Sequence, residues 1–448
     1  MKKVVSTVLA LILCSVFLFS YGFATTSDNQ FKLTVNDNNV AVKYGVSPTV
    51  INDVVYVPAR EALETFDADI KWNGETRSVD IKLNDVSVEV KINSNIVKVN
   101  SRPCTLEGKV IIKDSRTLLP LSFFSTVFGI NIDIDESTKT LNVSTNIVDK
   151  DNVDININYL GGPSAVSLIK MLKDNPYLGK NVNANYEMLK QVSLIQANML
   201  NKKADFIVAP TNLGANIYNK TEGEYVLADV YSWGVLHLSS TEDIKGWSDL
   251  KDKEIYLIGK TGTPGIVFSN LLQLNGLDIN KDVKLVYLNS PQELATYMIT
   301  GKATTAVLPE PVQTQVLMKN KNVKVVMNIQ EEWAKKYDND LGFPQSSIFV
   351  KKELADAHPE IVKAFLREHK GSIEWVNMNK EQAGIKGQEL GIMPNAKIIE
   401  NSIPRCNLKY MDAKDAKKAT EEFLKILLDF NPKSIGDKLP DEGFYYEN

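Results

Sequence analysis

Histidine and cysteine are scarce in this 448-residue sequence, with three of each. His237, His358 and His369 all fall in the second half, and none stands at zinc-ligand spacing from a cysteine, so no metal site is expected. Cys14 lies in an N-terminal apolar run. That leaves Cys104 and Cys406, too far apart in the chain to imply a disulfide framework. Positive charge is not in excess either: 51 Lys and Arg against 55 Asp and Glu give a net charge of -4, which offers no field for a nucleic-acid backbone. Nucleic acid is therefore not expected as a partner. Catalytic signatures are missing as well. There is no Gly-x-Ser-x-Gly elbow, no Walker loop and no complete Gly-x-Gly-x-x-Gly, since Gly259-Lys260-Thr261-Gly262 has the wrong spacing. No catalytic residue and no cofactor are expected, and the chain does not read as an enzyme.

What is present is a globular composition, 44% hydrophobic and 24% charged, long enough for two or three domains. Lys2 and Lys3 precede an apolar run over residues 4–19, and small residues follow at Gly22 and Ala24. This pattern predicts a secretory signal peptide over residues 1–24, hence an exported protein, extracellular and cell-surface or periplasmic. An uncleaved anchor is the alternative, with a run at the short end for a membrane span. Lipidation of Cys14 is a third, but it needs a small residue where Leu13 stands.

A shift of 62 residues superimposes Pro58 on Pro120, Phe66 on Phe128, Ile70 on Ile132 and Thr76 on Thr138. Each copy reads as a short strand, a helix begun by proline, and a hairpin. Between them, residues 86–99 alternate apolar and polar as half-buried strands do. The motifs Val57-Pro58-Ala59-Arg60-Glu61-Ala62-Leu63 with Trp72, and Leu119-Pro120-Leu121-Ser122-Phe123-Phe124 with Ile134, resemble the copper amine oxidase N-terminal-like domain. Residues 30–146 are accordingly expected to form a β-rich α+β domain with an internal repeat. The second copy departs from the pattern in lacking the arginine and the tryptophan. No histidine lies in this section, so the resemblance carries no expectation of copper.

Beyond a polar junction at residues 146–152 the pattern changes to strands alternating with amphipathic helices. Strands are predicted over 153–160, 204–209, 254–258, 283–288, 303–308 and 323–327, with helices at 164–173, 192–200, 264–275, 291–300 and 310–319. Residues 353–430 read as mostly helical. Three strand-to-helix turns collect small and polar residues: Gly161-Gly162-Pro163-Ser164, Pro210-Thr211-Asn212 and Thr261-Gly262-Thr263-Pro264-Gly265. A helix start offers unpaired N–H groups and partial positive charge to a ligand, although each turn taken alone is equally an ordinary capped loop. Two β-prone runs, 231–238 and 344–350, bracket one α/β unit and are placed to carry the chain out to a second lobe and back.

These turns and runs, with Trp247-Ser248-Asp249-Leu250-Lys251-Asp252-Lys253 and Leu308-Pro309-Glu310-Pro311, resemble periplasmic-type ABC-transporter solute-binding proteins. The resemblance is to the branch that handles nitrate, taurine, alkylsulfonates and thiamine-precursor pyrimidines. It implies an α/β two-lobed periplasmic-binding-protein type II fold over residues 153–448, with lobe 1 at about 153–235 plus 346–448 and lobe 2 at about 239–343. It further implies capture of a small molecule in the cleft and delivery to an ABC permease. The ligand-binding candidates are Gly162, Ser164, Thr211, Asn212, Trp233, Thr261, Thr263, Glu310 and Ser346. Glu310 is equally suited to capping the helix after it. After residue 150 the only arginines are Arg367 and Arg405, both in the helical tail, which favours a pyrimidine-like ligand over a small sulfonate or other anion held by a guanidinium clamp. Two other classes remain open. One is a pyrimidine-synthase-like enzyme, whose cysteine-rich segment this chain lacks. The other is a surface protein using residues 30–146 to bind cell-wall material, a partner that would also explain retention at the surface without a lipid.

Overall fold

The computed structural model of the protein describes residues 31–35, 38–39, 47–144 and 152–447. The expectations for the signal peptide, Cys14 and residues 146–151 of the junction lie outside the described residues.

In the first half, Val86–Lys91 shows why its strands form: Val86, Val88 and Val90 point inward and the intervening polar residues outward, the two-residue period of a half-buried strand. It belongs to a five-stranded antiparallel sheet running in chain order from Asp69–Asn73 through Ser78–Leu83, Val86–Lys91 and Ile96–Val99 to Arg102–Thr105. The duplication is visible in the pairing. Strand Val54–Pro58 runs antiparallel to Arg116–Pro120 with Leu119 opposite Val57, Pro120 opposite Tyr56 and Leu118 opposite Pro58. Equivalent residues thus exchange places about a local two-fold axis. Each strand ends in a proline that caps a helix, Ala59–Leu63 in one copy and Leu121–Phe128 in the other. The hairpin turns repeat too. Asn73 Oδ1 accepts from the N–H groups of Glu75 and Thr76, and Asp135 Oδ1 accepts from those of Ser137 and Thr138. The Ser137 hydroxyl first, then the Thr138 hydroxyl and the two N–H groups, hold the Asp135 carboxyl down to about 2.

The second half contains two mixed sheets. The first orders its strands Val182–Leu189, Val153–Leu160, Phe206–Pro210, Ser346–Lys351, Tyr225–Ser232, Leu408–Asp412. The second orders them Lys284–Leu288, Glu254–Ile258, Thr305–Pro309, Leu236–Ser240, Lys324–Asn328. Interior strands such as Phe206–Pro210 and Tyr225–Ser232 are buried along almost their whole length, as strands covered on both faces by helices must be. The chain crosses between the lobes at residues 233–235 and 342–345. The run 231–238, expected as one β-prone segment, is therefore broken by the crossover, where Gly234 takes φ +90.

Other expectations change in detail. The helix expected over 164–173 is two short helices, Pro163–Val166 and Ile169–Asp174, because Ser167 between them turns inward. The helix expected from 310 starts at Val312. Three strands were not anticipated: Val182–Leu189 and Leu408–Asp412, the two edges of the six-stranded sheet, and the interior strand Tyr225–Ser232, of which only residues 231–232 fell in an expected β-prone run.

The first half docks on lobe 1. Tyr177 from lobe 1 is buried in the first half's core, its hydroxyl donating to the Val127 carbonyl at 3.0 Å and its N–H to Pro103 at 2.8 Å. Arg102 donates back to the carbonyls of Asn175 and Pro176. From the Pro359–Met378 helix, Arg367 donates to the Thr105 carbonyl and the Thr126 hydroxyl, both at 3.1 Å, and Glu368 accepts from the Thr105 N–H. Cys104 and Cys406 are both buried free thiols, pushed up to about 12 by burial.

Helix Thr211–Thr221 lies flat on the first sheet because Gly214 lets it. A Cβ there would stand 1.9 Å from the Phe349 ring, which is itself fully buried. Gly214→Ala is expected to cost about 3 kcal/mol through this overpacking, measured as a lowered urea midpoint at unchanged slope. A loss under about 0.5 kcal/mol would mean the contact relaxes freely.

Candidate ligand-binding cleft

Backbone register gathers the turns before any side chain is considered. In lobe 1, Pro210 is opposite Ser346, and Ser346 is opposite Ser232, so three adjacent strands share one row at their edge. Val153–Leu160 and Val182–Leu189 run parallel to Phe206–Pro210 and end at the same edge, which puts Gly161, Gly162 and Ser164 there. In lobe 2, Leu236 is opposite Pro309, and Glu310 donates its N–H to the Val235 carbonyl at 2.9 Å. The carboxyl ends of strands Glu254–Ile258 and Thr305–Pro309 thus face the crossovers. In open α/β sheets this is the edge where ligands bind.

Individual side chains differ in what they have free. Thr211 is fully buried, its hydroxyl sharing a 2.8 Å bond with Ser347. Asn212 turns its amide toward the Ser434 carbonyl at 3.4 Å. Trp233 is also fully buried, with its indole N–H donating to the Lys409 carbonyl at 2.8 Å. Its backbone is clasped by Asn407, whose amide donates to the Trp233 and Leu341 carbonyls. Gly342, at φ +111, completes this knot, since a Cβ there would lie 2.4 Å from the Trp233 oxygen. Ser346 is buried against Tyr231. Ser164 and Gly162 are half-buried and Thr261 is exposed, while Thr263 is buried at the start of helix Thr263–Leu274.

Glu310 is held between lobes. Its carboxylate accepts from Arg405 Nε and from the Thr314 N–H at 3.1 Å, so it both caps helix Val312–Lys319 and forms a buried ion pair with lobe 1. Burial still raises its pKa more than Arg405 lowers it. Arg405 also donates to the Thr314 hydroxyl and the Asn401 carbonyl. Further links between the lobes are Asn431, donating to the Thr261 carbonyl at 2.8 Å, and the rings of Trp333 and Phe343 against Phe423. Nearby His237 is held down to about 4 by burial and by Arg405, and is therefore neutral at neutral pH.

Behind the Gly161–Ser164 turn stands a fully buried row. Ser167 Oγ is 3.0 Å from His369 Nε2, and His369 Nδ1 is 2.7 Å from Asp229 Oδ2. The order is that of a hydrolase triad. With all three side chains sealed, however, no substrate carbonyl reaches Ser167. What the row does is fix the turn: the Ser167 carbonyl accepts from Ser372, and the Ser164 carbonyl accepts from the Tyr231 hydroxyl at 3.0 Å. Gln345, on the returning crossover, was not among the sequence candidates. Its backbone bonds Ser232 and Thr211, and its side-chain oxygen is buried without a hydrogen bond among the described residues. The signal for it was its place in Pro344-Gln345-Ser346-Ser347.

Two lobes joined by paired crossovers, with helix-start turns facing them, define the solute-binding-protein fold, here preceded by a β-rich domain of mostly antiparallel sheets. More specifically, residues 34–143 match the copper amine oxidase N-terminal domain and residues 218–386 match the NMT1-like family. An ABC transporter protein from Parabacteroides distasonis is 27% identical, with a TM-score of 0.59, over 66% of this chain and 99% of that one. The periplasmic aliphatic sulphonate binding protein SsuA from Escherichia coli shares the fold at 13% identity and a TM-score of 0.51, over 64% of this chain and 96% of its own. No curated protein matches the chain.

Proposed function

We propose that the protein is the extracytoplasmic solute-binding component of an ABC importer, exported and presenting its captured ligand to a membrane permease. The observation that carries this is the shared edge register, Pro210 beside Ser346 beside Ser232 in lobe 1 and Leu236 beside Pro309 in lobe 2, which turns the helix starts of both lobes toward the crossovers. Gly162 and Ser164 from lobe 1, Thr261 and Thr263 from lobe 2, and Gln345 between them contact the ligand. Thr211, Asn212, Trp233, Ser346 and Glu310 shape and hold the cleft around them.

The ligand is a small neutral or weakly polar molecule, pyrimidine-like rather than a sulfonate. Support comes from the arginines of this half: Arg367 is spent on the domain interface and Arg405 on Glu310. Thermal shift and calorimetry on a panel of pyrimidines, sulfonates and nitrate test this. A pyrimidine at 100 times its Kd is expected to add about 2.7 kcal/mol of stability. Binding of sulfonates or nitrate alone overturns the ligand class; turnover of any compound, or a panel without effect, overturns the function.

Residues 30–146 retain the protein at the cell wall. Deleting them is then expected to release it into the medium, and unchanged retention refutes this role.

A further inference from the structure

Glu61 is a buried carboxylate that the duplicated fold does not require. It is 6% exposed, and neither of its carboxylate oxygens makes a hydrogen bond among the described residues. The equivalent position in the second copy holds Phe123, packed in the core of the same domain. An apolar ring therefore satisfies this site, and an unbonded carboxylate there is a standing cost to folding. Burial raises the Glu61 pKa, its own backbone N–H and then Arg116 and Arg60 pull it down, Glu64 pushes it up, and burial prevails.

Glu61 lines a groove of about 430 Å³. The groove's apolar wall is Trp72, 49% exposed, with Ile70 and with Ile112, 43% exposed. Arg60 and Arg116 line it too, and Arg60 lies 3.6 Å from Glu64 at the rim. In the second copy Arg60 becomes Ser122 and Trp72 becomes Ile134. The arginine, the carboxylate and the tryptophan that distinguish the first copy thus all fall on one groove.

Its charges exclude the simple ligands. Two guanidinium groups oppose a cation, and a buried carboxylate opposes an anion. What fits is a neutral molecule with hydroxyls that both donate and accept and with one apolar face for the indole. We propose that this groove binds a pyranose unit of a cell-wall glycan strand, its C–H face on Trp72, one hydroxyl donating to Glu61 and hydroxyl oxygens facing Arg60 and Arg116. The choice of a wall glycan as source rests on the retention role given above to residues 30–146.

The test uses the full mature chain with two probes: peptidoglycan sacculi stripped of protein and anionic polymers, and a soluble chito-oligosaccharide. Co-sedimentation with the sacculi and binding of the oligosaccharide are expected, with a loss of at least tenfold in Trp72→Ala, its Tm being read alongside to show that the variant is folded. Glu61→Phe, which installs the residue of the second copy, is expected to lose binding while its Tm stays at or above wild type. That Tm gain should grow as pH rises through the carboxylate range, because a raised folded pKa means wild type loses stability over that interval. The proposal is overturned if the protein ignores both probes, if it binds untreated walls alone and so recognises a protein or an anionic polymer, or if Trp72→Ala binds like wild type. Sacculus binding without cellular retention would sink the retention role and leave the groove standing; retention without sacculus binding would do the reverse.

Discussion

Alanine in place of Asp229 is expected to destabilise the protein by about 3–5 kcal/mol, because it removes one member of a fully buried pair and leaves His369 without its partner. The Ile348 N–H, which the other carboxylate oxygen accepts at 3.3 Å, is orphaned as well. Asp229→Asn keeps an acceptor for Ile348 and should lose markedly less. Urea denaturation of the two variants side by side measures the difference. Since the Ser167–His369–Asp229 row holds the back of the Gly161–Ser164 turn, the alanine variant should also bind ligand more weakly under conditions where it remains folded. A loss below about 1 kcal/mol would mean the row is not an anchor.

Removing the guanidinium from Arg405 is the second large effect. Arg405→Ala leaves the Glu310 carboxylate buried without a cation, at a cost of about 3 kcal/mol at neutral pH. The sign of its pH dependence follows from Glu310, whose folded pKa is already raised by burial and rises further once Arg405 is gone. A group with a raised folded pKa contributes most below its unfolded value and loses that contribution as pH increases. The deficit of the variant should therefore be small near pH 4 and full at pH 7. Denaturation midpoints across that interval check this, and a deficit that grows toward acid contradicts it. Because the same pair ties lobe 2 to lobe 1, ligand affinity should fall with it.

The parts of this fold that were legible in the sequence are those whose chemistry repeats or whose apolar residues run nearly unbroken. The 62-residue duplication was readable because Pro58 and Pro120 end paired strands and Thr76 and Thr138 close equivalent turns. Interior strands such as Glu254–Ile258 were readable because apolar residues dominate them. Of the three strands not anticipated, Val182–Leu189 and Leu408–Asp412 are sheet edges, where one side needs no partner and residues such as Asn183, Asn185, Glu187 and Lys409 are tolerated, while Tyr225–Ser232 is interior but interrupted by Asp229, whose buried partner His369 is 140 positions away. Site residues divide on the same line. Turn glycines and hydroxyls betray where a helix starts near an edge. They do not tell whether a side chain looks into the cleft or, like Thr211 and Trp233, into the protein, since that depends on partners such as Ser347 and Lys409 that are 136 and 176 positions away. Arg405 was readable as a scarce cation and not as the partner of Glu310 for the same reason.

The docking of the first half on lobe 1 has a mechanical consequence. Tyr177, Arg367 and Glu368 fasten it to the Pro359–Met378 helix and the loop before Val182–Leu189, all on the same lobe. A pull on residues 47–143 is carried into lobe 1 directly, by a path that bypasses residues 233–235 and 342–345. Under the proposed retention role the load thus enters lobe 1, and lobe 2 stays joined to that frame by the crossovers, the Glu310–Arg405 pair and the Asn431–Thr261 bond.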